Sequence, residues 1–368
     1  MLKLSQSPDL SEQDMERKAK EHLRQVLTKV PFLTLANSAP NADAPPRPDF
    51  TVQLDTAGDR WLLVCEVKRL SQPRQVRAAA YDLRHRLLSL PNSKAYGILI
   101  APYLSEESIG VLRKESLGYL DFAGNCFLSF GSVFIERRGA PNPAIRRRGL
   151  REIFAPKASR VLRILLQDPD QPWRVIDLAN SAGVSLGEVS NVRRALLNRE
   201  WAYVGAGGLK LKDQSVVLDA WRTEYKAPVA EEKHYYTLLH GEALDNATRQ
   251  ALATVDADQH LLLSSFSAAR WLAPFARAPG HFFYADAAGE ERLKNALQLH
   301  TVERGANVTV IRPKDNSVFI GRKQVANGLW STGPLQTYLD LWSAGERGQE
   351  AADHLRRQML DTAWRTLS

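Results

Sequence analysis

The stretch PDFTVQLDTAGDRWLLVCEVK, residues 48–68, restricts the fold more than any other part of the chain. Apolar residues alternate on both sides of TAGD, which is the period of a strand with one buried face. TAGD is a four-residue turn with Gly58 for the left-handed position, so the stretch predicts an antiparallel hairpin in which Asp55 faces Arg60. Counting outward sets Gln53 against Leu62, Thr51 against Val64 and Asp49 against Glu66. Phe50, Val52, Leu54, Trp61, Leu63, Cys65 and Val67 then share a core face, and Asp49, Glu66 and Lys68 gather on the other face at one end. Two carboxylates placed opposite each other repel unless a positive group lies between them. A divalent cation does this well, because Mg²⁺ prefers carboxylate oxygen and keeps bound waters for chemistry. The same charges also make a strand-end salt-bridge group, worth about 0–1 kcal/mol per pair.

The flanking sequence predicts an α/β domain. A serine-capped helix begins at Ser11, with Met15, Ala19, Leu23, Val26 and Leu27 on one side. VPFLTLA reads as a short strand, and 37–48 as a loop dense in turn formers. A second helix starts at Pro73 with its charged residues directed outward. KAYGILIAP, residues 94–102, is continuously apolar and bounded by turn residues, as a buried central strand is. SEESIGVLRKES reads as a short helix, and YLDFAGNCFLSFGSVFIERR as strands separated by turns.

PD followed by E-x-K, in this order of elements over residues 10–135, resembles the PD-(D/E)XK nuclease superfamily. The resemblance implies a restriction-endonuclease-like fold over 1–136, with Asp49 and Glu66 holding Mg²⁺ or Mn²⁺. It implies that Lys68 positions the attacking water and stabilises charge at the phosphate. Glu21 on the first helix and Gln75 early in the second correspond to accessory polar residues in some branches.

Charge is unevenly spread. Lys and Arg exceed Asp and Glu by 17 to 10 over residues 136–226, which holds nearly all of the chain's net +8. Such a concentration points to an anionic polymer as partner. Six arginines lie in 137–151, read as a basic linker over 137–152 that includes Arg146, Arg147 and Arg148. Three helical segments and two short strands around AGG follow in 153–226, the order of a winged helix-turn-helix. In it Val175, Leu178 and Ala179 face inward, Gly183 makes the turn, and Val184, Val189, Val192 and Leu196 anchor the third helix. Ser185, Ser190, Asn191, Arg193 and Arg194 lie on its exposed side, with Lys210 and Lys212 on the strand leaving the wing. Asn and Arg read base edges, and serines and lysines contact phosphate, so the expected partner is double-stranded DNA.

Residues 227–368 alternate polar turns with apolar segments and end in two helices, a further α/β domain. YLDFAGNCFLSF, the winged helix, NVTVIRPKDNSVFI and GPLQTYLDLW together resemble the AbiEi-like type IV toxin-antitoxin regulators over about residues 95–365. That resemblance implies a transcriptional regulator, a repressor or antitoxin, whose C-terminal domain serves interaction or antitoxin work. A nuclease-like domain ahead of the winged helix departs from the simplest antitoxin layout. Asp286, His281 and Asp340 are read as structural. Cys65 and Cys126 lack metal-site spacing, and no signal peptide or membrane span is readable, so a cytoplasmic location is expected.

Overall fold

Seven strands cross the N-terminal sheet in the order in which the chain makes them. They are β1 (Thr34–Leu35), β2 (Phe50–Asp55), β3 (Arg60–Val67), β4 (Ala95–Ala101), β5 (Gly118–Asp121), β6 (Cys126–Phe130) and β7 (Val133–Arg137). The computed structural model describes residues 11–36, 48–56, 58–69, 71–90, 94–139, 153–253, 260–275 and 280–365. Two compact units divide the chain: 1–148 with 197–200, and 149–196 with 201–368. The architecture is α/β in both.

In the first unit β3 pairs antiparallel with β2 and parallel with β4, and β4 pairs parallel with β5. The parallel pairs require crossovers, supplied by α2 (Pro73–Leu88) and α3 (Glu106–Lys114). Helix α1 (Glu12–Leu27) covers one face of the sheet, its Ala19, Leu23, Val26 and Leu27 meeting Leu54, Leu63, Cys65, Ile98 and Ile100. On the other face Val76, Ala79, Ala80 and Leu83 of α2 and Ile109 and Leu112 of α3 meet Val64 and Leu99. Covering both faces explains why β4 reads as an unbroken apolar run. The strand expected over VPFLTLA narrows to Thr34–Leu35. Val30 and Leu33 donate instead to Leu27 O and Val30 O, which extends α1 into turns.

The second unit opens with α4 (Pro156–Gln167), α5 (Val175–Ala182), α6 (Leu186–Asn198) and the hairpin β8 (Ala202–Gly205) and β9 (Gly208–Leu211), followed by α7 (Gln214–Glu224). Leu178, Ala179, Val189, Val192 and Leu196 are buried, while Val175 and Val184 are half-buried. Gly183 ends α5 at φ 61°, a left-handed conformation that costs a side-chain-bearing residue about 1–2 kcal/mol. A seven-stranded mixed sheet follows, in the order β13-β10-β14-β12-β11-β16-β15. Its members are β10 (Val229–Tyr236), β11 (Leu261–Leu263), β12 (His281–Ala285), β13 (His300–Thr301), β14 (Val308–Pro313), β15 (Lys323–Ala326) and β16 (Leu329–Ser331). Leu244, Ala251 and Leu252 of α8 (Gly241–Ala253) and Leu293 and Leu297 of α10 (Ala287–Leu297) pack with Leu261, Phe283 and Val310 of this sheet. Between them in the chain lies α9 (Ser265–Leu272). The chain closes with α11 (Pro334–Trp342) and a helical run from Glu346 to Arg365 that contains a π turn at Arg356–Leu360. Among the described residues no helix is long and apolar enough to cross a membrane.

Candidate functional site

The β2–β3 hairpin has the register that its turn and alternation dictate. Asp55 faces Arg60, Thr51 faces Val64 and Phe50 faces Cys65. Gly58 takes φ 122°, and Thr56 N donates to Asp59 O at 2.8 Å to close the turn. All seven apolar residues of the alternation lie in or against the α1-side core. Glu66 consequently points to the α2 side, and Asp49 comes to the same end of the hairpin, one residue before β2 begins.

Asp49 reaches across to β3, where its Oδ2 accepts a hydrogen bond from Val67 N at 2.6 Å. Partial burial raises the pKa of this carboxyl; the Val67 N–H opposes the rise, and the negative charge of Glu66 adds to it. Glu66 is held from two sides. Its Oε1 accepts from Lys68 Nζ at 2.7 Å and its Oε2 from Arg86 Nη1 at 3.3 Å. The Glu66 and Arg86 side chains are only 15% and 12% exposed, whereas Lys68 is 38% exposed. Sequence reasoning directed the charges of α2 outward, yet Arg86 turns in. Its position four and three residues along the stripe Ala79, Leu83, Arg86 is the signal that could have found it.

The accessory positions divide. Glu21 faces solvent, where its Oε1 accepts from Gln25 Nε2 at 3.4 Å. The acid of α1 whose charge reaches Asp49 is Glu16, which also pairs with Lys20 at 2.5 Å. Gln75 is half-buried at the start of α2, and its Oε1 is buried with no hydrogen-bond partner, as is Oε1 of Gln72. Among the described residues no group of three or more His, Cys, Asp or Glu side chains is placed to hold a metal. Cys65, beneath the site, is fully buried, which pushes its thiol pKa far up and keeps it protonated.

In the second unit Ser185 caps α6, its Oγ accepting from Glu188 N at 3.2 Å. Ser190, Asn191 and Arg194 are exposed, and Arg194 Nη2 donates to Asn191 Oδ1 at 2.6 Å. Arg193 is half-buried. Lys212 is exposed, and Lys210 lies 3.5 Å from Asp170. Arg146, Arg147 and Arg148 lie outside the described residues.

The remaining acids flagged in the sequence have internal partners. Asp286 caps α10 by accepting from Gly289 N and also accepts from His260 N. Asp340 is buried and accepts from Tyr225, Tyr284 and Gln336. His281 lines a cavity of about 520 Å³ that also holds the Asp245–Arg270 ion pair.

No family model matches the chain, and no curated protein matches it. A solved structure of EndoMS in complex with dsDNA aligns with 28% of this chain and 44% of that one, at 19% identity and a TM-score of 0.18, an overlap too slight to fix a fold.

Proposed function

We propose that this chain is a DNA-binding protein with a divalent-metal-dependent endonuclease site of the PD-(D/E)XK type, targeted to duplex DNA by a winged helix over residues 153–226. The observation that carries the reading is the meeting of Asp49, Glu66 and Lys68 at one end of the hairpin, with Glu66 and Lys68 joined at 2.7 Å. Their donor chemistry suits Mg²⁺ or Mn²⁺, which take carboxylate oxygens and waters and need few protein ligands. The Oε1 atoms of Gln72 and Gln75, on the segment after Lys68, are buried without a hydrogen-bond partner. Asp49 and Glu66 would hold the ion; when bound it lowers the pKa of water and shields the scissile phosphate.

The chain's own residues do the rest. Lys68 lies beside Glu66, placed to stabilise negative charge developing on a phosphate. Val67 N–H fixes the Asp49 carboxylate. Arg194 and Asn191 present donors and an acceptor from one exposed face of α6, as base readers do, and Ser190 and Lys212 suit phosphate contacts. The C-terminal domain, in whose sequence no active-site motif is readable, serves self-association or holds a protein partner.

A second reading has one observation in its favour. Glu66 already has two cationic partners in Lys68 and Arg86, so both of its oxygens are taken by protein groups alone. A non-cleaving repressor or antitoxin of the AbiEi type, with a nuclease-like domain as scaffold, would keep such a pairing. Incubating the purified protein with supercoiled plasmid in Mg²⁺ or Mn²⁺ separates the two. The endonuclease reading expects nicked or linear product that disappears in chelator; plasmid left intact under every divalent metal favours the repressor.

A further inference from the structure

We infer that Arg86 is a built-in competitor of the metal for Glu66, so that metal occupancy of the site is weak until Arg86 is drawn away. The inference rests on the metal-site reading above. Two carboxylates, Asp49 and Glu66, and two cations, Lys68 and Arg86, lie at this end of the hairpin, and both oxygens of Glu66 already have a cationic partner. The guanidinium of Arg86 offers only hydrogen-bond donors, so it serves a carboxylate and cannot itself ligate a metal. Its side chain is 12% exposed, too enclosed for bulk water to screen it well.

The pair itself is loose. One nitrogen of Arg86 contacts Glu66, at 3.3 Å, whereas a fork-on-carboxylate pair uses two shorter bonds. Arg86 Nε is buried with no partner, so the guanidinium has an unused donor as well as a displaceable one. An ion that takes Glu66 leaves Arg86 both unpaired and facing a like charge. A phosphodiester entering the site offers Arg86 the anionic oxygens it then lacks. Metal and DNA therefore bind cooperatively, each removing a cost that Arg86 imposes on the other.

The test measures Mn²⁺ binding to the full-length protein by electron paramagnetic resonance, without DNA and without turnover. Arg86→Met keeps the stem and removes the charge, and it should bind Mn²⁺ about tenfold more tightly, given one like charge at close range in a partly buried site. Arg86→Lys keeps the charge and should stay as weak as wild type. A short DNA duplex should tighten Mn²⁺ binding to wild type more than to Arg86→Met. Melting curves of each variant identify loss of fold. If Arg86→Met binds Mn²⁺ no more tightly than wild type while Asp49→Asn still abolishes binding, the arginine does not compete and the inference fails, although the metal site stands. If no variant binds Mn²⁺, both the inference and the metal-site reading fall.

Discussion

At the scale of single residues, the placement of Asp49, Glu66 and Lys68 at one end of the hairpin was legible because a turn and a period of two fix which face every side chain takes. Their partners were not. Glu16 and Glu21 both flank the buried stripe of α1, and only the packing of α1 on the sheet decides which of them reaches Asp49. Arg86 lies on a buried stripe where propensity gives no reason for a charge, and its reason, Glu66, is twenty residues away. Asp340, expected from the sequence to be structural, is buried as a hub with Tyr225, Tyr284 and Gln336. Burial pushes its pKa up to about 6, against the opposing hydrogen bonds of those three donors. A raised acid pKa means that the folded state holds the proton more tightly than the unfolded chain, so stability from this group falls as pH rises from about 4 to about 6 and stays low above. Asp340→Asn should therefore be more stable than wild type at pH 7.5, by up to about 3 kcal/mol, and the gain should vanish below pH 4. Denaturant melts at the two pH values measure this; a variant less stable at pH 7.5 than at pH 4 relative to wild type would mean that the hydrogen bonds outweigh the desolvation.

Elements were more legible than their neighbours. The hairpin register, the helices at 12–27, 73–88 and 106–114, and the helix–turn–helix segment follow from turn residues and periodicity. The strand at 30–36 shrank because backbone hydrogen bonds went to a turn instead. In α6 Ser185 and Glu188 have the spacing of a capping box, and Ser185 Oγ accepts from Glu188 N. Ser185→Ala should cost about 1 kcal/mol of stability by chemical denaturation; no change would show that the cap is idle. Arg194→Ala should reduce discrimination between a selected site and random duplex by about 1–3 kcal/mol. Equal loss on both DNAs would make Arg194 a phosphate contact.

For the whole molecule, the charge distribution was readable from the chain, whereas the joining of α4 and α7 to the C-terminal helices was not. Arg163, buried on α4, donates to Gln336 Oε1 at 2.5 Å, and Trp364 Nε1 donates to Leu166 O at 3.1 Å. From α7, Arg222 donates to Tyr338 OH at 3.0 Å and Asp219 accepts from Arg356 at 2.6 Å. These partners lie more than a hundred residues apart, beyond the reach of any local pattern. A chain ending at residue 226 loses all four, and its melting temperature should fall by about 5 °C or more relative to the full chain; an unchanged melt would mean that the helices need no C-terminal support. The claim on which the account turns is that Asp49 and Lys68 perform different tasks at one hydrolytic site. It is tested most directly by following Mn²⁺ binding, duplex binding and plasmid cleavage together in wild type, Asp49→Asn and Lys68→Ala. The account predicts that wild type cleaves, that Asp49→Asn loses metal and cleavage together, and that Lys68→Ala keeps most of the metal and loses cleavage, with duplex binding intact in all three. Tight duplex binding by a wild type that cleaves under no divalent metal, or cleavage undiminished in either variant, would contradict it.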